Sequence, residues 1–231
     1  NDRLLLQDAF NLNSLSGLVR FVKKVVIGTL VIEGIGALLY MTVFIPDFGQ
    51  KGIWISIFTS VSAFCNAGID IIAENSLCDY ALNPMVNTVT CLLIVIGGIG
   101  YIVWWDIIRV IKNIRQNKRK IFGNLTLHSK IAIISTLLLI IVGAILVFVL
   151  EYDNPQTLKD YTLLQKIEVS FFQSVTTRTA GFATLPQENL TNATAVVCLF
   201  LMFIGGSPVG TAGGIKTVTF AVIIASAWAS I

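Results

Sequence analysis

Ser60-Val61-Ser62-Ala63-Phe64-Cys65-Asn66-Ala67-Gly68-Ile69 and Ser174-Val175-Thr176-Thr177-Arg178-Thr179-Ala180-Gly181-Phe182 are two versions of one pattern. Each is a short apolar segment that runs into a small residue, a glycine and a hydrophobic residue. Asn66-Ala67-Gly68 aligns with Thr179-Ala180-Gly181, and each copy lies between two longer apolar runs. The short segments, residues 53–64 and 167–177, fall below the ~20 residues a membrane-spanning helix needs. They match the ~10–14 residues of re-entrant or buried helices.

Composition places these segments in a bilayer. Of 231 residues, 55% are hydrophobic and only 13% charged, against roughly 25% charged in soluble domains. Residues 25–45, 86–105 and 131–150 are each long enough to span, and only the first carries a charge, Glu33. Residues 193–231 form a fourth apolar region, cut by Gly205-Gly206-Ser207-Pro208-Val209-Gly210-Thr211-Ala212-Gly213-Gly214. No leader pattern is visible in residues 1–19. The four cysteines, Cys65, Cys78, Cys91 and Cys198, show no CxxC spacing and suggest neither zinc nor a redox pair.

Charge sets the topology. Arg20, Lys23 and Lys24 precede the first span, and Arg109, Lys112, Arg115, Lys118, Arg119, Lys120 and Lys130 follow the second. No acidic residue lies between Asp106 and Glu151. Both basic regions belong on the cytoplasmic side, so the chain crosses an even number of times between them. A re-entrant short segment satisfies that count, and a third crossing does not. The expected organisation is a cytoplasmic connector at 1–24, a first pore repeat at 25–110, a basic cytoplasmic loop at 111–130 and a second repeat at 131–231. The first repeat has an outer helix 25–45, pore helix 53–64, filter 65–70 and inner helix 86–110. The second has an outer helix 131–150, pore helix 167–177, filter 178–184 and a broken inner helix 193–231 with a gate loop at 205–214. The fold class is all-α integral membrane, with two parallel helix–re-entrant loop–helix repeats.

Irregular backbone at membrane depth must line a cavity or be buried in protein. The loops after the short helices are polar enough to point carbonyl oxygens at a dehydrated cation. Gly68 and Gly181 suit that task because glycine takes positive φ without a steric cost. The C-terminal end of each pore helix adds a partial negative charge beside the ion path. No carboxylate ring accompanies the loops, so a monovalent cation is the expected cargo.

These residues resemble the Trk/Ktr/HKT superfamily of potassium transporters, of the TrkH and KtrB membrane-subunit type. Ile96-Gly97-Gly98-Ile99-Gly100-Tyr101 resembles the inner helix of that family's second repeat, and the 205–217 stretch the broken inner helix of its third. The resemblance implies a four-repeat, potassium-channel-like architecture of which this chain carries two repeats. It implies potassium uptake, with K+ as the bound ion, no organic cofactor, and K+ held by backbone carbonyls of Asn66, Ala67, Gly68, Thr179, Ala180 and Gly181. Cys65, Ile69, Arg178 and Phe182 flank them. Gly205, Gly206, Gly210, Gly213 and Gly214 belong to an intramembrane gate. The implied partners are a cytosolic nucleotide-binding regulatory subunit, a second copy of the full-length subunit, and the lipid bilayer, with no nucleic acid. The implied location is the plasma membrane, as a multi-pass protein.

Plainer readings stand beside these. A lone Asn-Ala-Gly is an ordinary turn, and the Gly-rich break could be a kink or a helix-packing surface. Glu33 is either an ion or proton site or, as expected here, a structural partner of the adjacent pore loop. Glu168 and Arg178 bracket the second pore helix as braces. Asp106 is expected to pair with Arg109, and His128 to be solvated. Lys216 reads equally as a barrier to cations or as a snorkelling side chain. The alternative function is a cation-coupled secondary transporter with broken helices and alternating access, although its usual inverted repeats do not suit the parallel charge pattern. With one histidine and no HExxH, the chain is not expected to be an enzyme.

Overall fold

Helix α1 (Leu15–Phe48) and helix α2 (Lys51–Phe64) are separated by only two residues, so α2 must fold back along α1. The turn forms at Gly49, whose N–H donates to the Ile45 carbonyl at 2.8 Å. Fourteen residues of α2 cover about 21 Å, short of the ~30 Å hydrocarbon core. The computed structural model describes residues 15–113 and 121–229. Residues 1–14 of the N-terminal connector, and Arg115, Lys118, Arg119 and Lys120 of the basic loop, lie outside the described residues.

Helix α3 (Pro84–Gly98) starts on a strong signal. The Asn83 side chain accepts from Met85 N and Val86 N, with Pro84 as the first helical residue. Helix α4 (Tyr101–Lys112) then leaves α3 at 96°. The single inner helix expected over 86–110 is therefore two helices. The break sits at Gly97-Gly98-Ile99-Gly100, with Gly100 at φ 91°. Carbonyls of Gly97 and Gly98 released there accept from Thr211 N and Ser207 N at 3.1 and 2.8 Å.

The second unit comprises α5 (Leu127–Glu151), α6 (Leu163–Thr176), α7 (Asn192–Phe203) and α8 (Thr217–Ala229). Caps rather than hydrophobicity set its helix starts, which is why they precede the apolar runs. Thr126 caps α5, Thr162 and Gln165 form a capping box on α6, and Thr191 caps α7. Among the described residues two helices, Val19–Phe48 and Leu127–Glu151, are long and apolar enough to cross a membrane, and a third span results if the bent pair counts as one. Their outer faces are bare hydrocarbon: Leu138 and Val149 are 60% and 63% exposed. A soluble protein rarely leaves so much contiguous apolar surface in water.

One packing joint occurs twice. Ser60 Oγ on α2 donates to the Glu33 carbonyl on α1 at 2.7 Å. Ser174 Oγ on α6 donates to the Ile140 carbonyl on α5 at 2.8 Å. Three residues beyond each acceptor lies a glycine, Gly36 or Gly143, where an added Cβ would strike both that serine hydroxyl and a leucine of the inner helix, Leu93 or Leu201. Each joint thus seats a short helix between its outer and inner helices. A shared core, including Phe64, Val86, Ile94, Ile140, Phe172 and Phe182, continues from one repeat into the other.

A second device also recurs. Asp106 Oδ2, in the middle of α4, accepts from Thr126 N and Thr126 Oγ1 at 2.8 and 2.9 Å. Glu151 Oε1, at the end of α5, accepts from Thr191 N and Thr191 Oγ1, both at 2.9 Å. In each case a carboxylate grips the capping residue of a later helix. Asp106 also pairs with Arg109 at 2.5 Å. His128 departs from its expected solvated state: its Nε2 is buried without a hydrogen-bond partner.

Candidate functional site

The helices α2 and α6 end in loops that meet at Gly68 and Gly181. A Cβ on Gly68 would collide with the Ala180 carbonyl and lie 2.7 Å from Gly181 Cα. Left-handed backbone recurs at alternate positions in both loops: Asn66 (φ 51°) and Gly68 (φ 66°), then Thr179 (φ 73°) and Gly181 (φ 98°). Such alternation of the sign of φ can aim successive carbonyls toward one side. Asn66 and Thr179 are strained choices for such a conformation, so neighbouring contacts must hold them.

Hydroxyls at the helix ends hold each loop from behind. Ser62 Oγ donates to the Ile69 carbonyl at 2.5 Å, and Thr176 Oγ1 to the Phe182 carbonyl at 2.6 Å. Both acceptors immediately follow the glycine. The chains leaving the two loops are also tied together, with Leu77 N donating to Ala183 O at 2.9 Å and Ala183 N to Ser76 Oγ at 3.2 Å. An open cavity of about 370 Å³ runs along Ala67, Thr179, Ala180 and Gly181. Among the described residues no three His, Cys, Asp or Glu side chains converge.

The Gly-rich stretch at 205–214 packs directly against both loops. Asn66 Nδ2 donates to Thr211 Oγ1 at 2.6 Å, and Thr211 Oγ1 donates to the Phe64 carbonyl at 2.9 Å. Gly213 N donates to Thr179 Oγ1 at 2.8 Å. The side chains of the two left-handed non-glycine residues are therefore the ones that touch the Gly-rich stretch. Its other side locks into the break between α3 and α4: Tyr101 N donates to the Val209 carbonyl at 3.1 Å. Gly206 and Gly210 lie against the Gly98 carbonyl so closely that a Cβ on either would overlap it. Lys216 Nζ donates back to the Ala212 carbonyl of the stretch at 2.6 Å.

The flanking residues separate into different roles. Phe182 is buried in the shared core, and Ile69 is exposed. Cys65 Sγ lies 3.9 Å from Glu33 Oε1, which gives Glu33 a contact with the adjacent loop. Arg178 is 7% exposed, and among the described residues it forms no ion pair with Glu168. Its Nη2 donates to the Gly205 carbonyl at 2.8 Å. Glu168 instead accepts from Asn87 of the first repeat at 2.9 Å. Sequence reasoning missed Thr211 and the Gly97-Gly98 break as parts of the site. A hydroxyl inside a glycine stretch was the available signal for Thr211.

Comparison with known proteins gives the family and the fold. The profile of the TrkH family, described as "Cation transport protein", matches residues 6–231. The potassium/sodium uptake protein NtpJ of Enterococcus hirae is 40% identical over 223 residues, covering 96% of this chain and 47% of that protein. The Ktr system potassium uptake protein B of Bacillus subtilis is 38% identical over 226 residues, covering 97% and 48%. The chain spans about half the length of the curated relatives it matches. A crystal structure titled as the potassium transporter TrkH from Vibrio parahaemolyticus superposes with a TM-score of 0.61 at 19% identity, over 84% of this chain and 38% of that one. It shares the all-helical fold.

Proposed function

The chain belongs to the TrkH family of cation transport proteins, and on that premise we propose that it supplies two adjacent quarters of a potassium-conducting pore. The observation that carries this reading is the matched left-handed backbone at Asn66, Gly68, Thr179 and Gly181, brought together at the glycine contact. Carbonyls of Asn66, Ala67, Gly68, Thr179, Ala180 and Gly181 replace the hydration shell of a passing K+. The ends of α2 and α6 direct their negative dipole ends at the same place. Two further loops of the same kind complete the ring along the open cavity beside Ala180 and Gly181.

The stretch at 205–214 acts as the gate. It packs against both filter loops, and glycine-rich backbone at membrane depth can change its hydrogen-bond partners where it lines a conduit. The full-length protein is a plasma-membrane uptake subunit with its basic loops in the cytoplasm. It pairs with a second copy and with a cytosolic nucleotide-binding regulator. Relatives named as Ktr system proteins support a multi-component arrangement.

The test is flux through the full-length protein in vesicles, with K+ and Na+ compared. Gly68→Ser and Gly181→Ser each force a side chain into the glycine contact and should erase K+ preference. Preference that survives both substitutions would sink the filter assignment.

A further inference from the structure

Arg178 is buried, permanently charged and unpaired with any carboxylate. The ion pair among the described residues is Arg109 with Asp106. Burying a lone cation is costly unless oriented dipoles compensate it. Two carbonyls do so here, Gly205 O at 2.8 Å and Thr136 O at 3.5 Å, together with the negative end of α6, which stops two residues earlier. The guanidinium Nε is left buried without a partner, and so is Thr136 Oγ1. Both residues line the same cavity of about 10 Å³, along with Asn66, Gly98, Gly206 and Ala212. That volume fits one water, and a buried water needs two to four polar partners.

We infer that Arg178 and Thr136 form a single-water site that ties the filter to the gate. Arg178 Nη2 holds the gate carbonyl of Gly205, while Nε donates to the water and Thr136 Oγ1 supplies its second hydrogen bond. A cation cannot occupy the cavity beside the guanidinium, and nothing larger than water fits. The tie spans three elements: the second filter loop, α5 and the 205–214 stretch. Moving that stretch breaks the Gly205 contact and strands a buried charge, so the tie favours the arrangement seen here. This inference rests on the gate reading above.

The test uses the full-length protein in vesicles. Thr136→Val keeps the side-chain shape and removes the hydroxyl. Arg178→Lys keeps the charge but cannot serve both Gly205 and the water. Each should raise passive K+ flux about tenfold, the equilibrium equivalent of one hydrogen bond to a charged group. Thr136→Ser should restore the parental flux, and K+ preference over Na+ should stay unchanged in both Thr136 variants. A map resolving ordered solvent should show one water between Arg178 Nε and Thr136 Oγ1, absent in Thr136→Val. Flux unchanged or lowered in both Thr136→Val and Arg178→Lys, Thr136→Ser behaving as Thr136→Val, or a map without that water overturns the tie. Failure of the pore reading is separate: it appears as K+ preference surviving both Gly68→Ser and Gly181→Ser, whatever the map shows.

Discussion

Asn66 provides the sharpest test of how the first loop is held. Its backbone is left-handed at φ 51°, and its Nδ2 donates to Thr211 Oγ1 at 2.6 Å. Asn66→Ala loses both advantages. Alanine in left-handed backbone costs about 1 kcal/mol more than asparagine, and the lost hydrogen bond costs about 1 kcal/mol. The expected destabilisation is therefore about 2 kcal/mol. Asn66→Gly loses the hydrogen bond but adopts the backbone freely, so it should cost only about 1 kcal/mol. Thermal unfolding in detergent should then show Asn66→Ala shifted about twice as far as Asn66→Gly, with about 2–4 °C per kcal/mol for a domain of this size. Combining Asn66→Gly with Thr211→Val should cost less than the two separately, because they share one bond. Equal losses in Asn66→Ala and Asn66→Gly would refute the strain argument, and strict additivity with Thr211→Val would refute the contact.

Two further outcomes follow from the joints and loops. Gly143→Ala places a methyl against Ser174 Oγ and Leu201, so it should destabilise by about 1–3 kcal/mol; combined with Leu201→Ala it should cost less than the two changes separately in the same unfolding assay. Tyr80 donates its phenol proton to Asp47 at 2.7 Å, and burial with the adjacent carboxylate pushes its pKa above the ordinary tyrosine value. A raised pKa means the folded state holds this proton more tightly, so the contribution is complete below pH ~10 and is lost only as pH climbs further. Stability followed from neutral into alkaline pH should stay flat for this group to about pH 10, and Tyr80→Phe should remove the alkaline component.

The short helices, the glycine loops and the membrane setting were legible because each leaves a mark in side-chain type: length of an apolar run, a glycine after it, a missing charge. The bend between α3 and α4 left no such mark. Gly97, Gly98 and Gly100 sit in an uncharged apolar run, and glycine is frequent in straight transmembrane helices. What breaks the helix is a set of donors 110 or so residues away along the chain, on Ser207 and Thr211, that compete for its carbonyls. Arg178 was hidden for a related reason. A sequence offers a carboxylate, Glu168, as the natural partner of an arginine, whereas the structure uses the carbonyl of Gly205. Main-chain acceptors belong to every residue and have no letter of their own.

The twin joints around Gly36 and Gly143 carry the same property into descent. Their acceptors are the carbonyls of a glutamate in one copy and an isoleucine in the other. Mutation at those two positions changes what hangs from the helix and leaves the acceptor in place. The glycine, the serine and the leucine have no such freedom, since a methyl gained or a hydroxyl lost unseats the short helix. A duplicated segment can therefore drift over most of its outer helix, until the copies no longer look related, and still present its loop at the same height.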